Sequence, residues 1–216
     1  MEKNKITTVL FGLDGVIVDT RQTHDEFWNS IAKKNNLKIE NFPEVIDGMT
    51  ISSIIDLYFP INTLEDKQKI RKESAELDSK IDYTKIVIPS VLEFIQYLKA
   101  EGYKLGIVTS SNRKKVDKVL EQLDLTDAFD TIITAESIKK GKPDPMGFLL
   151  AQTNLGVKNT ECVVFEDAFT GIKAATYAFM RVIGVATTLS EDYLKDYSYG
   201  VIKDFSDKEK LKSLLQ

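Results

Sequence analysis

The chain has 216 residues, of which 43% are hydrophobic and 29% are charged, with only 5 prolines and 11 glycines. This composition is typical of a globular protein with one sizeable core, or with a core and a small inserted domain, and it excludes a chain dominated by disorder. The formal net charge of −4 combines 29 basic with 33 acidic residues, so no bulk positive field favours binding to nucleic acid.

The N-terminal segment and the single cysteine indicate where the protein works. The apolar stretch of residues 6–11 is too short for a signal peptide or a membrane span. Cys162 lies in another apolar run and has no second cysteine with which to pair, which predicts a buried thiol in a reducing compartment. We therefore expect a cytoplasmic monomer that binds neither membranes nor nucleic acid.

Short runs rich in β-branched residues recur along the chain and alternate with stretches of helical period. The predicted strands are residues 6–11, 104–109, 131–134, 162–165, 181–185 and, more weakly, 200–202. Strands that alternate with helices predict right-handed βαβ units and a parallel sheet covered on both faces. The expected fold class is α/β, with a doubly wound, Rossmann-like parallel-sheet core.

The alternation fails between residues 20 and 86, where apolar residues recur only at helical spacing. A strandless stretch between the first and second strands is typical of an insertion. We therefore predict an α-helical cap domain at residues 20–86, inserted into a core formed by residues 1–19 and 87–216. Residues 64–82 are rich in charge and predict a helix with one exposed face.

Polar residues follow the predicted strands, and in an open parallel sheet ligands bind beyond the carboxyl ends of the strands. The residues at these ends are Gly12 and Asp14, then Thr109, Ser110, Ser111 and Asn112, then Lys140 and Lys142, and finally Glu166 and Asp167. Together they offer hydroxyls and amides for phosphate oxygens, ammonium groups for phosphate charge, and carboxylates for Mg²⁺.

Each of these groups also has a plain structural interpretation. Asp14 with Gly15 is typical of a turn, and residues 109–112 are typical of a helix N-cap. Residues 142–145 fit a rigid loop that enters a helix, and residues 166–167 could simply cap one. The placement of all four groups at or beside strand ends favours a phosphate and magnesium site.

Four segments carry these residues: 11–20, 107–112, 139–145 and 163–172. The first reads Phe-Gly-Leu-Asp-Gly-Val-Ile-Val-Asp-Thr, and the last reads Val-Val-Phe-Glu-Asp-Ala-Phe-Thr-Gly-Ile. In order, they resemble the four motifs of the haloacid dehalogenase superfamily of phosphatases and phosphomutases. The spacing Asp-Thr-x-x-x-His at residues 19–24, with the position of the helical segment, is similar to the β-phosphoglucomutase-like subgroup, whose members mostly dephosphorylate small sugar phosphates.

The resemblance implies a role for each residue at the strand ends. Asp14 would be the general acid/base and, through its main-chain carbonyl, a metal ligand. The other implied roles are phosphate binding by Thr109, Ser110, Ser111 and Lys142, and Mg²⁺ binding by Glu166 and Asp167. His24 would lie at the hinge between core and cap and contact substrate there, although it fits a histidine on a helix surface equally well.

At position 12 the chain departs from this family. The superfamily has an aspartate there that attacks phosphorus and binds Mg²⁺, whereas Gly12 has no nucleophile, no metal-binding side chain and no charge. Three explanations compete: an enzyme altered at one position, a natural pseudoenzyme that binds a phosphorylated metabolite without turnover, and a weak hydrolase in which water attacks directly. We favour the first, because Asp14, Lys142 and Asp167 are all retained.

The expected function is a Mg²⁺-dependent phosphatase for a small phosphorylated metabolite, with a sugar phosphate as the expected substrate and with Gly12 leaving this chain inactive or strongly impaired. The alternatives are a phosphometabolite-binding module and a sugar phosphomutase. Ile51 argues against the mutase, since it stands where sugar phosphomutases carry an arginine for a second phosphate. Phe179 stands where relatives have glycine, and we expect it to pack over the sheet.

Overall fold

The computed structural model describes residues 5–216, in which six parallel strands form one sheet. The strands are β1 (Thr8–Phe11), β2 (Lys104–Val108), β3 (Thr131–Ile133), β4 (Cys162–Glu166), β5 (Arg181–Val185) and β6 (Gly200–Ile202). Their spatial order is β3-β2-β1-β4-β5-β6, and each neighbouring pair is parallel. The order reverses on either side of β1, which is the topological switch point of a doubly wound sheet. The predicted fold class is confirmed, with each predicted strand within two residues of its observed bounds.

Helices cover both faces of this sheet. The helices within residues 5–216 are α1 (Arg21–Lys34), α2 (Phe42–Val45), α3 (Ile51–Tyr58), α4 (Leu64–Lys80), α5 (Val91–Ala100), α6 (Arg113–Gln122), α7 (Met146–Leu155), α8 (Phe169–Tyr177), α9 (Glu191–Lys195) and α10 (Lys208–Leu214). Val9 and Phe11 belong to an apolar cluster with α5, α6 and α10, whereas Leu10 belongs to a second cluster with α7 and α8. Alternate residues of β1 therefore point to opposite, fully buried faces.

Helices α1 to α4 lie between β1 and β2 in the chain, and we call residues 20–86 the helical insertion. A third apolar cluster lies within it, formed by residues that include Trp28, Phe42, Ile55 and Ile70. The two connections between the helical insertion and the core lie side by side, since Val18 and Val87 form an antiparallel bridge. The domain boundaries stay a prediction, and residues 1–4, with which the predicted core begins, lie outside the described residues.

The structure also bears on three smaller predictions from the sequence, which concern Cys162, Phe179 and a membrane span. Cys162 is fully buried, and burial raises the pKa of its thiol to about 12. The expectation that Phe179 packs over the sheet is wrong: the residue is 80% exposed and has φ +57°, a left-handed conformation that favours glycine. Within residues 5–216, every helix is too short or too polar to cross a membrane.

Candidate functional site

A cavity of about 820 Å³ lies between the carboxyl edge of the sheet and the helical insertion. The predicted site residues that line it are Gly12, Asp14, His24, Thr109, Ser110, Ser111, Asn112, Lys142, Glu166 and Asp167. Lys140 does not line the cavity and is exposed instead, so its expected convergence with the others is wrong. The structure therefore brings together residues that are up to 155 positions apart in the chain.

Gly12 directly follows β1, and its N–H donates a 2.9 Å hydrogen bond to the carbonyl of Phe165 in β4. A Cβ atom at this position would lie 3.4 Å from the carboxylate of Glu166 and 2.9 Å from Cγ2 of Val16. A side chain at position 12 would therefore emerge beside Glu166, after a small movement of Val16.

Asp14 is held by three hydrogen bonds to its carboxylate. Its Oδ1 accepts from Thr20 Oγ1 at 2.5 Å and from Lys115 Nζ at 2.6 Å, and its Oδ2 accepts from Ser111 Oγ at 2.6 Å. Burial alone would raise the pKa of Asp14, but the charges of Lys115 and His24 and these hydrogen bonds outweigh it and hold the pKa well below its usual range. The carboxylate is therefore ionised and fixed in one orientation.

Glu166 and Asp167 end β4 as a buried acidic pair. The Lys142 ammonium forms a short ion pair with Glu166, and Asp167 Oδ2 accepts from Thr188 Oγ1 at 2.5 Å. Burial, and then the charges of Asp47 and Glu166, raise the pKa of Asp167 well above its ordinary value. Negative charge at this edge thus exceeds the positive charge that compensates it.

The acidic pair of Glu166 and Asp167 is the candidate magnesium site. Mg²⁺ prefers oxygen ligands, and the carboxylates of Glu166 and Asp167 line the same cavity, at the same edge of the sheet, as Asp14. In the part of the chain that the structure describes, however, no group of three or more acidic, histidine or cysteine side chains is arranged to hold a metal ion. The residues present do not complete a magnesium site, and a carboxylate at position 12 would supply a further ligand.

The segment after β2 is partly used for structure. Asn112 is the N-cap of α6, since its Oδ1 accepts from the Lys115 N–H at 2.9 Å. The Thr109 hydroxyl oxygen accepts from the Ser111 N–H at 3.1 Å, while the Ser110 hydroxyl donates to the Gly48 carbonyl at 2.7 Å. The phosphate-binding roles of Thr109, Ser110 and Ser111 stay predictions.

The helical insertion meets the core around the cavity. Thr170 Oγ1 donates to the carbonyl of Asp47 at 2.9 Å, and the Arg21 guanidinium donates to the carbonyl of Thr188. Burial, followed by the charge of Glu166, raises the pKa of Asp47 to about 6. The insertion thus brings a carboxylate close to the acidic pair of the core.

Sequence reasoning missed two charged residues beside Asp14. Lys115, in the first turn of α6, contacts Asp14, and Asp78, near the end of α4, lies 3.0 Å from Nε2 of His24. A lysine and an aspartate in charge-rich helices are usually exposed, so no pattern in the sequence distinguishes them. His24 lies on α1 in contact with α4, so the surface interpretation does not describe its surroundings.

Comparisons with known proteins agree with this architecture. Hexitol phosphatase B of Escherichia coli (strain K12) is 28% identical over 186 residues, 84% of each chain. Protein SUPPRESSOR OF QUENCHING 1, chloroplastic, of Arabidopsis thaliana is 43% identical over 120 residues, 55% of this chain, and the match spans only 11% of that protein. The crystal structure of β-phosphoglucomutase from Clostridium difficile superposes with a TM-score of 0.82 at 26% identity, covering 97% of both chains. The family model for haloacid dehalogenase-like hydrolases matches residues 9–185, and the chain belongs to this family.

Proposed function

We propose that this chain is the scaffold of a Mg²⁺-dependent phosphatase for a small phosphorylated sugar, and that Gly12 abolishes or strongly reduces its turnover. The observation that carries the proposal is the assembly of Asp14, Lys142, Glu166 and Asp167 around position 12, with only the nucleophile missing. The match to hexitol phosphatase B supports a sugar phosphate as the substrate class. Mg²⁺ is the cofactor of the complete site, which needs a carboxylate at residue 12.

Asp14 is the proton carrier of the proposed reaction. In a site with aspartate at position 12, that carboxylate attacks phosphorus, the ester P–O bond breaks, and Asp14 gives its proton to the leaving oxygen. Water then opens the aspartyl phosphate and returns a proton to Asp14. The low pKa keeps Asp14 ionised, which is the form that accepts a proton in the second step, and a phosphate dianion bound beside it raises its proton affinity for the first.

The remaining residues bind and enclose the substrate. The Thr109 hydroxyl and the Ser110 main-chain amide contact the phosphate oxygens, and Ser111 supports them by holding Asp14. Lys142 leaves Glu166 in part to neutralise the transferring group. The helical insertion acts as a cap that excludes water when it contacts the core. His24 lies on the first cap helix, beside the connection to the core.

A sugar phosphomutase is the second candidate, because one arginine of the insertion is free to bind another phosphate. Arg71 of α4 lines the cavity and forms no hydrogen bond or ion pair with the residues that the structure describes. Ile51, which lines the same cavity, offers no such contact. If Arg71 binds the second phosphate in place of the arginine that is absent at position 51, the activity is that of a mutase. If it does not, the activity is that of a phosphatase.

The test is to restore the nucleophile. We expect Gly12→Asp to release phosphate from an aryl phosphate at least about 10³-fold faster than the parent chain, and only with Mg²⁺, because loss of a covalent nucleophile costs many orders of magnitude. Adding Asp14→Asn should remove most of this gain. Gly156→Asp controls for an added carboxylate outside the cavity: a side chain there meets no atom within 4 Å, although φ +63° adds strain to the backbone.

Two outcomes would contradict the proposal. Equal activity in the parent chain and in Gly12→Asp would mean that the covalent mechanism does not operate. A folded Gly12→Asp variant that binds phosphate but releases none, even when Val16→Ala makes room for the new side chain, would favour the binding module. Isothermal titration with inorganic phosphate separates these cases from simple misfolding.

A further inference from the structure

Lys115 and Asp78 form a buried connection between the helical insertion and the proton carrier of the site. We propose that Lys115 is a positioning residue for Asp14, and that Asp78 ties this lysine to the helical insertion. The inference rests on the proposed function, in which Asp14 gives and takes the proton.

The distances define the connection. Lys115 Nζ lies 2.6 Å from Asp14 Oδ1 and 3.5 Å from Asp78 Oδ1, and Asp78 Oδ1 lies 3.0 Å from His24 Nε2. The side chain of Lys115 is 2% exposed and that of Asp78 is 10% exposed. A lysine this buried requires paired carboxylates, because an isolated buried charge is costly. The pairing therefore fixes the ammonium between one carboxylate of the core and one of the insertion.

The fold places Lys115 where it can reach the strand end. It lies in the first turn of α6, three residues after the N-cap Asn112. Side chains of a helix lean towards its N-terminus, and the N-terminus of α6 follows β2 at the carboxyl edge of the sheet. Asp14 follows the neighbouring strand β1 at the same edge of the sheet, so the Lys115 side chain can contact the Asp14 carboxylate.

Helix α6 also holds the end of α4 in place. Lys118, one turn after Lys115, donates to the main-chain carbonyls of Asp78, Ser79 and Ile81 at 3.2, 2.8 and 2.7 Å. These carbonyls lie at the C-terminus of α4, where the last carbonyls have no N–H of a following helical turn to accept from. Docking of α4 on α6 thus delivers the Asp78 carboxylate to Lys115, and the orientation of Asp14 depends on where the insertion sits.

Removing the lysine has a specific consequence. Without Lys115, the carboxylates of Asp14 and Asp78 face each other without the cation between them, and Asp14 loses the ionic member of its three hydrogen bonds. Repulsion then favours rotation of Asp14 away from its present position. Proton delivery to the leaving oxygen suffers, whereas steps that need no proton do not.

The kinetic test uses two esters that differ in their need for a proton. The variants are made in the Gly12→Asp background, and kcat/KM is measured because it reports phosphoryl transfer to the enzyme. We expect Lys115→Met to lower kcat/KM about 10²-fold for an alkyl phosphate but less than about threefold for 2,4-dinitrophenyl phosphate, whose leaving group departs without protonation. Lys114→Met is the matched control, because Lys114 is an exposed lysine in the same turn of α6, and it should change neither rate. Asp78→Asn should lower the alkyl rate alone, but in the Lys115→Met background it should restore part of the alkyl rate, because it removes the repulsion between the two carboxylates.

A crystal structure of Lys115→Met in the chain with Gly12 tests the positioning without any turnover. We expect Asp14 to leave its hydrogen bonds with Thr20 and Ser111. An unmoved Asp14, or equal losses for both esters, overturns the inference. If Gly12→Asp hydrolyses neither ester, the proposed function fails, and the crystal structure alone still decides whether Lys115 positions Asp14.

Discussion

The Ser110 hydroxyl of the core donates a 2.7 Å hydrogen bond to the main-chain carbonyl of Gly48 in the helical insertion. Gly48 has φ +72°, and a Cβ atom there would lie 2.2 Å from Thr170 Oγ1. Thr170 itself donates to the neighbouring carbonyl of Asp47. The insertion therefore closes on the core through main-chain contacts, at a point where a side chain has no room.

Gly48→Ala should open this contact. The new methyl group cannot remain against Thr170, and the left-handed backbone adds about 1–2 kcal/mol of strain. We expect faster amide exchange in residues 46–50 and weaker phosphate binding. Gly102→Ala is the matched control, because Gly102 has φ +78° but a Cβ atom there meets nothing within 4 Å. If exchange next to residue 102 in Gly102→Ala rises as much as exchange in residues 46–50 rises in Gly48→Ala, strain and not close approach governs the contact.

Asp47→Asn should stabilise the protein at neutral pH. Its pKa is about 6 in the folded chain and 3.8 ordinarily, so the folded state binds the proton more tightly than the unfolded state. The contribution of Asp47 to stability is thus present below about pH 4 and is lost as the pH rises through 6. We expect Asp47→Asn to raise the Tm at pH 7 by about 2–4 °C for each kcal/mol added to the free energy of unfolding. At pH 4 it should have little effect.

Melting curves between pH 4 and 8 check this prediction. Asp56→Asn provides the control, since Asp56 is an exposed acidic residue of the same insertion. A gain in Tm that is the same at every pH would show that its cause is neither the burial of the Asp47 charge nor repulsion from Glu166.

Gly12→Asp should also increase the affinity for Mg²⁺. Affinity for hard divalent cations rises with the number of carboxylate ligands, and the new side chain would start 3.4 Å from the Glu166 carboxylate. We expect titration calorimetry to show binding that is tighter by about tenfold or more than in the parent chain. Asp167→Asn should reverse the gain. Tight Mg²⁺ binding by the parent chain would contradict the inference that its magnesium site is incomplete.

The sheet could be predicted from sequence because its strands are buried on both faces. Short, mostly apolar runs such as residues 104–108 and 162–166 are a local signal, and polar residues follow them. Since parallel strands end at one edge, the convergence of Asp14, Ser111 and Glu166 on one cavity also followed from local pattern.

The ionic connection beside Asp14 could not be predicted in this way. Lys115 is separated by 37 residues from Asp78 and by 101 residues from Asp14, and each looks like an ordinary charge on a helix or at a turn. Their burial depends on how α4 docks onto α6, which is information about tertiary packing. The exposure of Phe179 has the same origin, because an aromatic residue next to a buried helix predicts packing that the left-handed turn prevents.

Ile51 and Arg71 decide between the phosphatase and the mutase, and in the Gly12→Asp background we expect the phosphatase. Ile51 is the first residue of α3 and lines the cavity, but it cannot make the bidentate, charge-assisted contact to a second phosphate that an arginine makes. A hexose phosphate should therefore yield inorganic phosphate and no isomer. Phosphorus NMR of the reaction mixture distinguishes the two products directly.

Ile51→Arg should then raise the affinity for a sugar bisphosphate by about tenfold or more, since one charge-assisted pair contributes roughly 1.5–3 kcal/mol. Leu57→Arg is the matched control, because Leu57 lies on the same helix but is 63% exposed and does not line the cavity. Arg71→Gln tests the competing candidate: it should leave phosphate release from an aryl ester unchanged. Interconversion of hexose phosphates faster than phosphate release, abolished by Arg71→Gln, would establish the mutase and overturn the prediction.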